Sequence, residues 1–410
     1  MPPARPLRVL IVADDLYPGF GGQAASTEGF IRMLRERGHR VTCITARVPT
    51  PTEPRGVRVF RFASWQPGDK MTRFVFPDAR ALHRLVAAND LVHVMTPTPL
   101  SWTALGYARR LKKPALVGFH TQRESLTSHV APEVRRAVSD ALDAYYRRFY
   151  ARADVALCPS NFAAQVYREY SDGPAEVISN GVDLTVFDPA RVPDAAVRAF
   201  REGLGLREGQ RLILSVGRLS HEKDPLALLR VAQELAALRQ DFVLAFGGTG
   251  PLARDLEAGI EAGGLGERVK RLGFVPDTDL PLAYRAADLF ALASPTELQG
   301  IVLLEAMAMG AALFVADVPT SAATEALNGG RTGLSFDPRD PKGAARVLSN
   351  LFDEPARLDL LRRNAREDIA AHDLRASGRK LEAIYLKALS GAYPPRPAPS
   401  RRAALRKEHA

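Results

Sequence analysis

Cysteine is scarce here: two residues, Cys43 and Cys158, in a chain of 410. Two thiols cannot form the disulfide framework of a small secreted scaffold, and their positions give no zinc-binding spacing. Both stand in apolar runs, "VTCIT" and "VALCPS", which reads as buried free thiols and fits a reducing cytosol. Long apolar runs are missing too. No stretch reaches the roughly 18 residues that a membrane-spanning helix needs. The start, "MPPARPLRVLIVADDLY", has a short apolar run that meets Asp14 and Asp15 at once. That reads as a first β-strand, not a secretory signal.

What is present is ordinary for a globular protein: 46% hydrophobic and 25% charged residues. The length suggests two domains, each with its own core. Net charge is +10 and the isoelectric point about 9.8, which suits a polyanionic or phosphorylated partner. No aromatic RNA-binding signature or zinc finger accompanies that charge, so nucleic acid is not expected as a partner. Part of the excess sits in the Pro-, Ala- and Arg-rich end "PPRPAPSRRAALRKEHA", and residues 391–410 are expected to form a disordered basic tail.

Apolar strand-like runs alternate with helical patterns throughout, which predicts parallel βαβ units. The rhythm breaks at "NGVDLTVFDPARVPDAA" (180–196), where a linker is expected, and then restarts. The expected architecture is α/β: two Rossmann-like doubly wound domains, residues 1–182 and 183–374, facing a central cleft. A last helix near 375–390 would pack back on the first domain. Ligands bind such sheets beyond the carboxyl ends of the strands.

Three stretches carry chemistry. "GRLSHEKD" (217–224) follows a strand directly and places Arg218 and Lys223 on one loop. Such a pair suits a diphosphate, with Arg as a fork and Lys as a point charge; a solvated basic loop is the structural alternative. "FGGTGPL" (246–252) can turn backbone amides toward a phosphate or simply be a turn. "PTELQGIVLLEAMAMG" (295–310) predicts a loop with Glu297 and a helix opened by Gly300. The amides at Gly300, Ile301 and Val302 would be unpaired helix-start donors. Glu305, a turn inside, would reach a ribose from the side of the helix, and its apolar neighbours speak against a water-facing acid.

The E-x7-E spacing of Glu297 and Glu305 within "SPTELQGIVLLEAMAMG" resembles the signature of retaining glycosyltransferase family 4, with the GT-B fold. "SVGRLSHEKDP", "ISNGVDLTVFDP" and "RVKRLGFVPDTDLPLAYRAADLFALAS" are similar to further blocks of that family. The resemblance runs from about residue 7 to about 390 and is tightest in the second half. It implies a nucleotide-diphosphate sugar as co-substrate, with Arg218 and Lys223 neutralising the diphosphate. Glu297 would contact the donor sugar, the Gly300–Val302 amides sugar and phosphate, and Glu305 the ribose. Phe274 and Val275 would meet the base through backbone atoms. Gly21 and Gly22, in "FGGQ", would let the acceptor-binding domain approach the diphosphate. His120, in "GFHTQ", would stand near the transferred sugar. The resemblance implies no metal or other cofactor; no Asp-x-Asp pair stands near these motifs, and Asp14 and Asp15 are adjacent rather than spaced.

The segment "APEVRRAVSDALDAYYRRFYARAD" (131–154) spaces Val134, Val138, Leu142, Tyr145 and Phe149 as a helical stripe among Arg135, Arg136, Arg147, Arg148 and Arg152, with Tyr146 and Tyr150 beside them. A basic, aromatic amphipathic helix can lie on an anionic bilayer; packing of the stripe on the domain core is the alternative. With "GFHTQRES" it is similar to the lipid-glycosylating branch of the family. The expected protein is therefore a cytoplasmic enzyme, peripheral on the inner face of the membrane, moving a hexose to a glycerolipid such as diacylglycerol. A soluble or polysaccharide acceptor, or a sugar-nucleotide epimerase or hydrolase on the same scaffold, is the alternative. A non-catalytic charge-driven binder would have no use for Glu297 and Glu305.

Overall fold

A computed structural model describes residues 5–16, 21–48, 56–65, 74–127 and 130–394. The chain divides into two compact units, one of residues 1–180 with 374–410 and one of residues 181–373. Most of the expected basic tail, 395–410, lies outside the described residues.

Unit 1 runs β1 (Arg8–Val12), α1 (Gly21–Glu36), β2 (Arg40–Ala46), β3 (Arg58–Phe62), β4 (Ser64–Trp65), β5 (Phe74–Val75), α2 (Ala79–Ala88), β6 (Leu91–Val94), α3 (Pro99–Arg110), β7 (Ala115–Gly118), α4 (Arg123–Thr127), α5 (Pro132–Tyr150), β8 (Val155–Cys158), α6 (Asn161–Tyr167) and β9 (Ala175–Val177). Seven strands form one parallel sheet in the order β3-β2-β1-β6-β7-β8-β9. The short antiparallel β4–β5 pair and helix α4 carry too few residues for a period to show in the sequence.

The central strands read as continuous apolar runs because both faces are covered. Val9, Ile11, Leu91 and Leu116 share one core with Phe30 and Ile31 of α1, while Leu10, Val12, Val92 and Val94 are equally buried on the other face. Cys43 and Cys158 are buried free thiols, each pushed up to about 12 by burial.

Helix α5 differs from its expected stripe. Val134 is exposed at 52%, whereas Tyr146, Phe149 and Tyr150 are buried. The helix docks by its C-terminal half: Tyr145 stacks on Trp102 of α3 at 5.3 Å, and Tyr150 packs on Phe119 at 5.5 Å. Of the expected stripe, Tyr145 and Phe149 turn inward, Val138 and Leu142 are half-buried and Val134 faces out, while Tyr146 and Tyr150 beside the stripe are buried as well.

Unit 2 runs α7 (Asp194–Gly203), β10 (Arg211–Val216), α8 (Pro225–Leu238), β11 (Phe242–Gly247), α9 (Ala253–Ala262), β12 (Val269–Gly273), α10 (Leu280–Ala286), β13 (Leu289–Leu292), α11 (Ile301–Ala308), β14 (Ala312–Ala316), a 3-10 helix (Ala322–Leu327), β15 (Gly333–Phe336), α12 (Pro341–Asp353) and α13 (Pro355–Asp368). Its six parallel strands are ordered β12-β11-β10-β13-β14-β15. The segment expected as a linker is folded into this unit: Phe187 packs on Tyr284 at 6.0 Å and α7 lies against α10. Its Gly, Asp and Pro residues hide a helix whose apolar face, Val197 and Phe200, joins the unit 2 core.

The last helix, α14 (Leu374–Leu389), belongs to unit 1. It buries Leu381, Ile384 and Tyr385 in the same core as α1.

Candidate active site

The order of the unit 2 sheet reverses between β10 and β13, which pair directly, Ile213 opposite Leu289. Chains leaving two such strands diverge, one to each face, and open a crevice at their carboxyl ends. The loop after β10 carries Arg218 and Lys223, and the loop after β13 carries Glu297.

Each loop is fixed from below. Gly217 N donates to Gly247 O at 2.9 Å and Leu219 N to Thr249 O at 2.9 Å. A Cβ at Gly248, where φ is +132°, would stand 1.9 Å from Gly217 O, so only glycine allows this backbone approach. Asp224 takes a left-handed turn and caps α8 by accepting from Ala227 N. The "FGGTGPL" amides are partly spent inside the fold: Gly248 N bonds Gly273 O at 2.6 Å and Leu252 N bonds Leu219 O at 2.9 Å. Glu297 is strapped to the chain after β14. Its carbonyl accepts Ala322 N at 2.8 Å, and Thr320 Oγ1 donates to Pro295 O at 2.6 Å.

The loops meet in one contact: Lys223 Nζ donates to Glu297 Oε1 at 2.5 Å. Burial works against the ammonium, but Glu297 and Glu222 outweigh it and hold Lys223 above its ordinary value. The sequence assigned Lys223 to a diphosphate and Glu297 to a sugar; the structure pairs them with each other, because a part-buried ammonium needs a nearby carboxylate. Arg218 is exposed and makes no ion pair among the described residues.

Helix α11 opens at Gly300, whose φ of +78° turns the chain into the first turn, with no side-chain cap. The amides of Ile301 and Val302 are helix-start donors carrying positive dipole character. Glu305, one turn on, accepts a hydrogen bond from the Tyr284 hydroxyl at 2.8 Å. Burial pushes its carboxyl up to about 7, against the opposing Tyr284 bond and with a push from Asp277. Tyr284 is a residue the sequence reading missed; its place in "LAYRAAD" gave only a helical period. Phe274, just past β12, is exposed at 65%, and Val275 beside it is half-buried.

His120, Gly21 and Gly22 belong to unit 1. Gly21 opens α1 and Gly22 is exposed; the four residues before Gly21 lie outside the described residues. His120 stands two residues past β7, with its ring over Gly118: a Cβ there would meet ring atoms at 2.5 and 2.6 Å. Its Nε2 is buried with no hydrogen-bond partner among the described residues, and burial holds the imidazole down at about 4, so the ring is neutral at pH 7.

Comparison with known proteins agrees with this geometry in both halves. The family model "Glycosyl transferases group 1" matches residues 196–368, and "Glycosyltransferase Family 4" matches residues 20–186. The chain is 27% identical over 317 residues to the alpha-monoglucosyldiacylglycerol synthase of Streptococcus pneumoniae, covering 74% of this chain and 70% of that protein. It is 23% identical over 398 residues to the alpha-monoglucosyldiacylglycerol synthase of Acholeplasma laidlawii, covering 93% and 97%. Among solved structures, Anabaena Alr3699/HepE in complex with UDP-glucose superposes with a TM-score of 0.73 at 18% identity, covering 93% of this chain and 100% of that one. At that identity the likeness speaks to fold alone.

Proposed function

This chain belongs to the family 4-like glycosyltransferases of GT-B fold, and from that premise we propose that it moves a hexose from a nucleotide-diphosphate sugar to a hydroxyl of diacylglycerol at an anionic membrane surface, with retention of configuration. The observation that carries the donor half is the Lys223–Glu297 contact at the unit 2 switch point, beside the start of α11. A diphosphate laid against Ile301 and Val302 would draw Lys223 from Glu297 and take Arg218 from solvent. Leaving-group charge is then met by fixed donors, and the freed Glu297 carboxylate turns to the sugar. Glu305 accepts from the ribose hydroxyls. The reading needs no metal. His120, neutral and with an unpaired Nε2, is a hydrogen-bond partner for the transferred sugar. The UDP-glucose of the Anabaena structure and the diacylglycerol of the two synthases' names support UDP-glucose and diacylglycerol as first choices. Among the described residues no helix is long and apolar enough to cross a membrane, so contact with the bilayer would be peripheral. Arg135, Arg136 and the exposed Val134 of α5 offer a surface for it.

The test is incubation with UDP-glucose or GDP-mannose and diacylglycerol vesicles, in EDTA. Nucleotide release with formation of an α-linked glycolipid is expected, and Glu297→Gln should lower it at least about 100-fold while the melting curve stays cooperative. A β-linked product would remove the retaining mechanism. Sugar turnover without any acceptor would favour the hydrolase or epimerase reading.

A further inference from the structure

The unit 1 sheet has its own switch point, between β1 and β6, which pair with Val9 opposite Leu91. Asp14 lies two residues past β1 and Thr96 two residues past β6. Asp14 is buried, and its Oδ2 accepts two hydroxyls, from Thr96 at 3.1 Å and Thr98 at 2.7 Å. Its Oδ1 is also buried and has no partner among the described residues.

It is not alone. The hydroxyl of Tyr145, the Oγ of Ser101 and Nε2 of His120 are also buried and have no partner among the described residues. Tyr145 stacks on Trp102 of α3, the helix that Thr98 caps, and after burial the Asp14 charge helps push its phenol up to about 12. Ser101 follows Thr98 in the first turn of α3, where Thr98 Oγ1 caps by accepting Ser101 N at 3.3 Å. His120 lies two residues past β7, the strand after β6 in the sheet. Leaving a buried donor or acceptor unpaired costs about 1–3 kcal/mol each, and folded proteins leave few so. Asp14, Ser101 and His120 follow the carboxyl ends of β1, β6 and β7, where this architecture binds ligands, and unpaired atoms there call for a partner with both donor and acceptor capacity. A buried carboxylate in that group repels an anion; an alcohol fits.

We propose that Asp14 is an acceptor-binding residue: its Oδ1 receives the hydrogen of the acceptor's alcohol, with the Tyr145 hydroxyl completing the alcohol's second bond. The assignment rests on the transferase reading above and adds to it where the acceptor hydroxyl sits. The two threonines clamp Oδ2, so Oδ1 is presented in one orientation.

The experiment uses the full chain with UDP-glucose and diacylglycerol in phosphatidylglycerol vesicles. Asp14→Asn keeps the shape but replaces an acceptor oxygen with a donor or a weaker acceptor. It should raise KM for diacylglycerol about tenfold or more while KM for UDP-glucose changes less than about twofold. Tyr145→Phe, which keeps the ring stacked on Trp102, should raise the same KM by a smaller factor, and it carries the test if the Asp14 variant fails to fold. An unchanged diacylglycerol KM, or an equal rise in both KM values, overturns the assignment. Failure of the underlying reading is seen separately, as wild-type protein that makes no glycolipid, and it takes this assignment with it.

Discussion

Glu305 shows how far one carboxyl's chemistry depends on its surroundings. Its folded value of about 7 stands above the ordinary 4.5 of a free glutamate, with burial as the main cause. The folded protein therefore binds a proton that the unfolded chain releases, so this group lowers stability as pH rises from about 4.5 to about 7. Ligand binding has the opposite sign. On the proposed reading, ribose hydroxyls would donate to the ionised form, so a donor would have to expel the proton below neutrality. The KM for UDP-glucose is expected to rise below about pH 7, by up to roughly tenfold per unit. Glu305→Gln should raise KM at pH 8 and flatten that acidic limb; a limb that persists in the variant would assign it elsewhere. The E-x7-E spacing exposed both acids in the sequence. It could not show that Lys223 reaches Glu297 from 74 residues away, nor that Tyr284 dresses Glu305, because neither partner shares a local period with its acid.

At the scale of elements, strand ends do the positioning, and glycine next to them sets the clearance. His120 is placed by β7 and shaped by Gly118, whose missing side chain leaves room for the imidazole ring. The atoms that a Cβ would meet are the far end of that ring, which can swing aside, with Met95 O next at 3.2 Å. Gly118→Ala is thus expected to displace His120 at a cost of about 1–3 kcal/mol and to cut transfer at least about tenfold in a folded protein. Urea unfolding and the transfer rate measured together check this; full activity would show that the ring position is not needed. Strand and helix ranges were legible because both-face burial makes parallel strands read as plain apolar runs. The inward face of α5 was legible only in part: Tyr145 and Phe149 of the expected stripe pack inward, but Val134 is exposed and Tyr146 and Tyr150, off the stripe, are buried by ring packing on Tyr170 and Phe119.

At the scale of the whole molecule, the path of the chain ties its end to its beginning. His39 Nε2 meets Glu382 Oε1 at 2.9 Å, Arg37 also pairs with Glu382, and the Tyr385 hydroxyl bonds His93 Nδ1 at 2.8 Å. Deleting α14 would strip Leu381, Ile384 and Tyr385 from the core and leave the buried His39 and His93 without these partners. A fragment of residues 1–180 should therefore fail to give a cooperative melt by circular dichroism, while residues 181–373, whose core is its own, should unfold cooperatively. A stable 1–180 fragment would show that α14 adds little.

The sequence by itself determined the α/β class and the strand–helix rhythm, and it singled out Arg218, Lys223, Glu297 and Glu305 as candidates, because periodicity and short motifs are local and survive without a fold. Only the tertiary structure decided which cation meets which acid, which faces turn inward and where buried polar atoms go unpaired. Those depend on residues far apart in the chain, brought to one sheet edge by strand order, and strand order is written in packing between elements rather than in any single stretch.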